Sequence, residues 1–318
     1  MDQSVMLNKT EKEGFWKKEI RQLKKYKEAY ILLLPAFLLT LIFSYLPFPG
    51  IVLAFQDFDI INGLFGSEWV GFDNFVTIFT KGDMLRAIWN TLLYGVVILF
   101  GAFPFPILLA VLLNELRNAK FKKVVQTISY LPHFLSWISV VGLFYAFFAI
   151  EGTFNSVMAS LIGAGYEKKN ILLDSSHFIG ILFFSHVWKT VGWSSVLFLA
   201  AIAGIDQSLY DAARVDGCGR FKQAVHVTIP CIRSTIIIVF IMSLGLLVSS
   251  NFDQVYGFQN AYTQEKTEVI NTLIYREGIQ NGKYSLATAF GLSQGLVTLV
   301  LILSANAFSK KVMQTSIW

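Results

Sequence analysis

Long apolar runs separated by shorter polar stretches dominate the chain. Six runs reach the roughly 20 residues that a helix needs to cross a bilayer. They predict helices near Ile31–Phe55, Ile88–Leu113, Val124–Ile150, Phe178–Ala203, Thr235–Tyr256 and Leu286–Phe308. The apolar residues come in blocks, without the alternation of a half-buried strand, so the expected fold class is an all-α polytopic membrane protein. Pro35, Pro47, Pro49, Pro104, Pro106 and Pro132 predict kinks or helix ends. Membrane helices tolerate these where neighbours satisfy the freed carbonyls. The expected organisation is a basic tail with an amphipathic helix over 1–30, then one six-span membrane domain over 31–318.

Composition agrees. Of the 318 residues, 54% are hydrophobic and 15% charged, against about 25% charged in a soluble domain. Phe15, Trp16, Ile20, Leu23 and Tyr26 recur at helical spacing among Lys17, Lys18, Arg21, Lys24, Lys25 and Lys27. Phe15–Tyr30 therefore reads as an amphipathic helix on the anionic inner leaflet of membrane lipid. The same basic bias orients the spans. Arg117, Lys120, Lys122 and Lys123 follow the second run, Arg214, Arg220, Lys222 and Arg233 follow the fourth, and Lys310 and Lys311 follow the sixth. The other loops mix both signs, so the positive-inside rule places both termini in the cytoplasm. The basic residues form no groove-reading motif, which argues against a nucleic-acid partner.

The most distinctive polar segment is 209–232, LYDAARVDGCGRFKQAVHVTIPCI. Asp206 or Ser208 can cap a helix there, and Asp211 is expected in its first turn, where a carboxylate suits the dipole. Gly217 and Gly219 predict a bend between two short helices, and Pro230 closes the unit. The small side chains of Ala212 and Ala213 allow close approach by a partner, and Asp211 with Arg214 offers directional polar contacts.

Asp211-Ala212-Ala213, three residues, Gly217, nine residues, then Val227-Thr228-Ile229-Pro230 resembles the EAA loop of binding-protein-dependent ABC importer permeases. The family pattern is Glu-Ala-Ala, three residues, Gly, nine residues, Ile-x-Leu-Pro. Asp211, Val227 and Ile229 depart from it conservatively. Asn90-Thr91-Leu92, Leu112 to Leu116, Gln126 to Phe134, Trp69 to Phe75 and Trp188 to Trp193 look like the carbohydrate-uptake branch, particularly the oligosaccharide permeases. The resemblance implies a type I ABC importer permease fold in a bacterial plasma membrane. It also implies that the chain forms half of a translocation pore for a sugar. The implied partners are a second homologous permease, two cytoplasmic ATPase subunits and an extracellular solute-binding protein. ATP is then used by the partner subunits, and this chain binds no cofactor and is no enzyme. Asp211, Ala212, Ala213, Arg214, Gly217 and Pro230 would couple it to the ATPase.

Polar groups inside the spans are the other informative feature. Trp188, Lys189 and Trp193 lie in the fourth run, and Asn251, Asp253, Gln254 and Tyr256 at the end of the fifth. Charges in hydrocarbon are costly unless they pair or face a wet cavity. Flat rings beside amide and carboxylate groups suit sugar faces and hydroxyls. These seven are the candidate substrate pathway, the alternative being structural pairing of Lys189 and an interfacial ring belt. The outer loops, including Trp69–Phe75, are a candidate resting place for a partner with a wet surface. An ion-gradient-driven secondary transporter with Lys189 and Asp253 as relays, and an importer of a non-sugar solute, are the alternative functions. No G-x-x-x-x-G-K-[ST] or H-E-x-x-H occurs, and Gly192-Trp193-Ser194-Ser195-Val196 fails G-x-S-x-G. These signatures supply neither an ATPase, a zinc site nor a hydrolase nucleophile.

Overall fold

In the computed structural model, residues 25–163 and 165–313 are described. The chain divides after Leu53 into two units. The predicted amphipathic helix lies outside the described residues except at its end.

In the first unit, α1 (Lys27–Thr40) continues through Pro35 and then widens into a π-turn over Leu41–Tyr45. None of its residues is buried. A helix that is apolar all round belongs in lipid or against other apolar helices.

The second unit is helical apart from a two-residue antiparallel pairing of β1 (Gln56–Asp57) with β2 (Glu68–Trp69). Its helices are α2 (Asp73–Thr80), α3 (Gly82–Val96), α4 (Pro104–Glu115), α5 (Ala119–Tyr130), α6 (Trp137–Phe148) and α7 (Thr153–Ile162). They are followed by α8 (Phe178–Ala203), α9 (Gln207–Val215), α10 (Arg220–Cys231), α11 (Arg233–Ser243), α12 (Phe252–Phe258), α13 (Ile270–Tyr275) and α14 (Tyr284–Met313). Among the described residues, four helices are long and apolar enough to cross a membrane: Lys27–Phe55, Gly82–Glu115, Trp137–Ile162 and Tyr284–Lys311. Two pairs bent by 75° and 64° raise this to six if each is one span.

Two predicted spans are not continuous. The third, expected over Val124–Ile150, breaks between α5 and α6. Pro132 has no N–H to give, Leu131–Phe134 tightens to a 3-10 turn, and the Ser136 hydroxyl accepts the Ser139 N–H to start α6 afresh. The fifth, expected over Thr235–Tyr256, leaves the helix after Leu247 and restarts when the Asn251 side chain accepts the Gln254 N–H. Side chains from distant helices satisfy the carbonyls freed there. Gln294 donates to Val248 O at 2.6 Å and Asn271 to Ser250 O at 2.7 Å.

Helix α8 organises this unit. Its buried face runs Phe178, Ile181, Leu182, Ser185, Lys189, Gly192, Ser195, Phe198 and Ile202 at three- and four-residue steps. At Gly192 the crossing with α5 is backbone to backbone, since an added Cβ would sit 2.0 Å from Ser129 O. Gly192→Ala is therefore expected to lower stability by roughly 1–3 kcal/mol, the usual range for forced overpacking. Gly142→Ala, which meets nothing within 4 Å, is the control, and thermal unfolding in detergent compares them.

Charge pairs pin the segment between α12 and α14. Arg276 bonds Glu268 through Nε (2.8 Å) and Nη2 (2.9 Å) and lies 2.9 Å from Glu277, which also takes Lys283 at 2.8 Å. The Glu268 carboxylate raises the Arg276 pKa above its ordinary value and so favours the guanidinium charge.

Candidate functional site

The segment 209–232 folds as two helices joined by a tight reversal. Asp206 caps α9, its carboxylate accepting the Ser208 N–H at 2.9 Å. That bond holds the Asp206 carboxyl below its ordinary pKa. Because the cap is Asp206 and α9 begins at Gln207, Asp211 is the fifth helical residue. The expectation of Asp211 in the first turn is thus corrected: an earlier residue supplies the charge at the dipole's positive end.

Asp211 instead pairs with Arg214 at 2.9 Å on an exposed face. Such a pair contributes only about 0.3–0.5 kcal/mol on a helix surface, so its value lies in orienting the two groups. The helix ends in a Schellman reversal. Gly217 takes φ +75°, its N–H donates to Arg214 O at 3.0 Å, and the Cys218 N–H donates to Ala213 O at 2.8 Å.

Three further contacts fix the second arm. The Tyr210 and Thr228 hydroxyls meet at 2.9 Å in a buried contact. Gln223 donates to Cys218 O at 2.8 Å, and Arg220 reaches Glu115 O at the end of α4 at 3.3 Å. Pro230 lies at the exposed end of α10, just before the bend into α11. Sequence reasoning missed Tyr210, Gln223 and Thr228, whose only signal was a polar residue at each position.

The outcome is a rigid knob. Ala212 is exposed and Ala213 half-buried, while Val215 and Phe221 expose 87% and 83% of their surface on either side of the reversal. Beside the knob an opening of about 610 Å³ is lined by Glu115, Arg117, Tyr210, Arg214 and Arg220, among others. The arrangement offers apolar contact, close backbone approach and directional charge to a partner.

The second set of candidates splits. Lys189 is buried, and its ammonium donates to the carbonyls of Pro132 (3.4 Å), His133 (2.8 Å) and Leu135 (2.5 Å), over the Trp137 ring. Its three donors are thus used by the break between α5 and α6. Gln254 is fully buried. It accepts from the Tyr94 hydroxyl at 2.5 Å and donates to Leu182 O and to the Ser185 hydroxyl, each at 2.8 Å. Asn251, Asp253 and Tyr256 are exposed on α12, and Trp188 and Trp193 on α8, with Trp193 stacked on His133 at 4.6 Å. Gln254 joins the two groups through Leu182 and Ser185. Among the described residues no ion pair links Lys189 to Asp253.

Apolar helices of membrane length that carry such a knob define a membrane component of a transport system. Residues 102–314 match the family of the binding-protein-dependent transport system inner membrane component, and the chain belongs to that family. It is a multi-pass protein of the bacterial plasma membrane. Over 297 residues it is 41% identical to protein LplB of Bacillus subtilis (strain 168), covering 93% of this chain and 92% of that one. It is 38% identical to the polygalacturonan/rhamnogalacturonan transport system permease protein YteP of the same organism, covering 95% and 94%. A chain in the crystal structure of a bacterial alginate ABC transporter, in complex with an alginate pentasaccharide-bound periplasmic protein, aligns with a TM-score of 0.84. The identity is 36%, and 93% of this chain and 99% of that chain are covered.

Proposed function

We propose that this chain is the permease subunit of an ATP-driven ABC importer for an oligosaccharide and forms one half of the pore. The carrying observation is the knob at α9. It is held by a Schellman reversal and the Tyr210–Thr228 contact, yet turns Val215, Phe221 and the Asp211–Arg214 pair outward, uncovered by the described residues. The polysaccharides in the names of its relatives support the cargo class.

In this reading α8 and α11 are the spanning arms of the two bent pairs, giving six spans, and both termini lie in the cytoplasm with the knob. A second permease completes the pore, and two ATPases receive one knob from each permease. A solute-binding protein delivers the sugar from outside. Closure of the ATPases moves Asp211, Ala212, Ala213, Arg214 and Gly217 as one body, with Pro230 at the far end of the unit. The rigid helices then rock between outward and inward states. Trp188, Trp193, Asn251, Asp253 and Tyr256 contribute rings and polar groups to the pathway, while Lys189 and Gln254 hold its walls.

The test is Ala212→Cys in vesicles containing both permeases and the ATPases, with binding protein and an acidic oligosaccharide outside. Ala212→Cys should cross-link to an ATPase cysteine, in amounts that change with ATP, and uptake should need both ATP and the binding protein. Uptake that follows an ion gradient without ATP would refute the proposal.

A further inference from the structure

The segment joining the first two membrane-length helices is built around α2, and α2 has an apolar arc only part of which is buried. One face buries Ile78 and packs Phe75 into a core with Met84, Ala87 and Phe290. The adjoining face carries Phe72, Val76 and Phe79 at four- and three-residue steps, and they expose 69%, 58% and 61% of their surface. This exposure is not looseness. Asn74 ties the helix to Ala54 O and Gln56 O, and Phe55 stacks on Trp69 at 5.8 Å and meets Phe72 edge-on at 5.5 Å. A rigid apolar stripe held outward has an occupant.

Three observations identify that occupant. The first is position in the chain. The membrane-length helix Lys27–Phe55 ends, and Gly82–Glu115 begins, on either side of this segment, so α2 is tied at the water–lipid boundary. The second is continuity. Helix α3, part of a membrane-length helix, exposes Leu85, Trp89, Leu92 and Val96 at helical spacing and extends the stripe along its length. The third is a cleft of about 160 Å³ between α2, α3 and α14, walled by carbon from Phe79, Ile88, Leu92, Phe290 and Val297. No charge lies between Asp73 and Lys81, and Lys81 stands exposed at the end of the helix, placed to meet a phosphate.

We propose that this surface is a phospholipid site of the outer leaflet. An acyl chain lies in the Phe79–Val297 cleft, the α2 stripe rests in the interface, and Lys81 meets the headgroup. The surface expected from sequence to seat a wet partner around Trp69–Phe75 is on this view a membrane foot of the outer loop. The proposal rests on the orientation given above.

The experiment uses Phe79→benzoylphenylalanine in the complete transporter, reconstituted in phospholipid vesicles and irradiated. Mass spectrometry should find phospholipid adducts on this chain, in equal yield with and without the binding protein. If Phe79→benzoylphenylalanine does not assemble, Val76→benzoylphenylalanine one turn away gives the same readout. A main product joined to the binding protein, or to the second permease, overturns the lipid site. Orientation is read separately from Lys81→Cys in intact cells. Labelling from outside by an impermeant maleimide is expected, and labelling only after the membrane is opened overturns both the orientation and the outer-leaflet assignment.

Discussion

Gly217→Asp is expected to abolish uptake, at least tenfold and down to background, while leaving the subunit in the membrane at normal levels. Gly217 sits at φ +75°, where an L residue with a Cβ costs about 1–2 kcal/mol. A carboxylate there also faces the negative end of α9, close to the carbonyls of Ala213 and Arg214 that the reversal satisfies. The knob would no longer turn at the same angle, so Val215 and Phe221 would leave their places. Membrane insertion depends on the apolar runs, which the change does not touch. Quantitative immunoblotting of membranes beside ATP-dependent uptake in the same cells makes the comparison. Gly217→Ala, strained but uncharged, should lose less. Full uptake by Gly217→Asp would remove the coupling role from this reversal.

Lys189→Met should act through folding rather than through cargo. The methionine fills a similar length but leaves the carbonyls of His133 and Leu135 without the lysine donor, while Pro132 O keeps the Leu135 N–H. A buried unsatisfied polar group costs roughly 1–3 kcal/mol, so a loss of about 2 kcal/mol or more is expected for the pair. The readouts are the amount of assembled complex, its melting temperature in detergent and the KM for sugar. Less complex with a lower melting temperature, and an unchanged KM for what survives, fits a lysine that closes a broken helix. Normal assembly with a raised KM would instead put Lys189 in contact with cargo.

The second prediction rests on a wider physical pattern. Where this chain leaves helical geometry within a span, a side chain distant in sequence supplies the missing hydrogen bonds. Lys189 serves the break at Leu131–Ser136, and Gln294 and Asn271 serve the break after Leu247. In hydrocarbon no water can substitute. The polar residues that stand out in an apolar sequence therefore include some that hold the walls, with Gln254 bridging α8 and α12 in the same manner. Sequence alone left wall and pathway roles open for all seven candidates. The structure gives Lys189 and Gln254 backbone and side-chain partners and leaves Trp188, Trp193, Asn251, Asp253 and Tyr256 exposed.

Local pattern was enough for much of the rest. Unbroken apolar runs placed α8 and the bulk of the other long helices, because helix formation in lipid follows hydrophobic length. Residues 209–232 announced their bend through Gly217, and their relation to ATP-driven importers through spacing, because a short reversal is decided by the residues within it. The breaks after Tyr130 and Leu247, the Tyr210–Thr228 contact and the bare stripe on α2 needed the folded chain. Each depends on what stands opposite: a lysine more than fifty positions from the carbonyls it serves, a threonine across a turn, or a surface that the described residues leave largely uncovered. Hydrophobic length and turn chemistry are properties of neighbours in sequence. Satisfied carbonyls and uncovered faces are properties of neighbours in space.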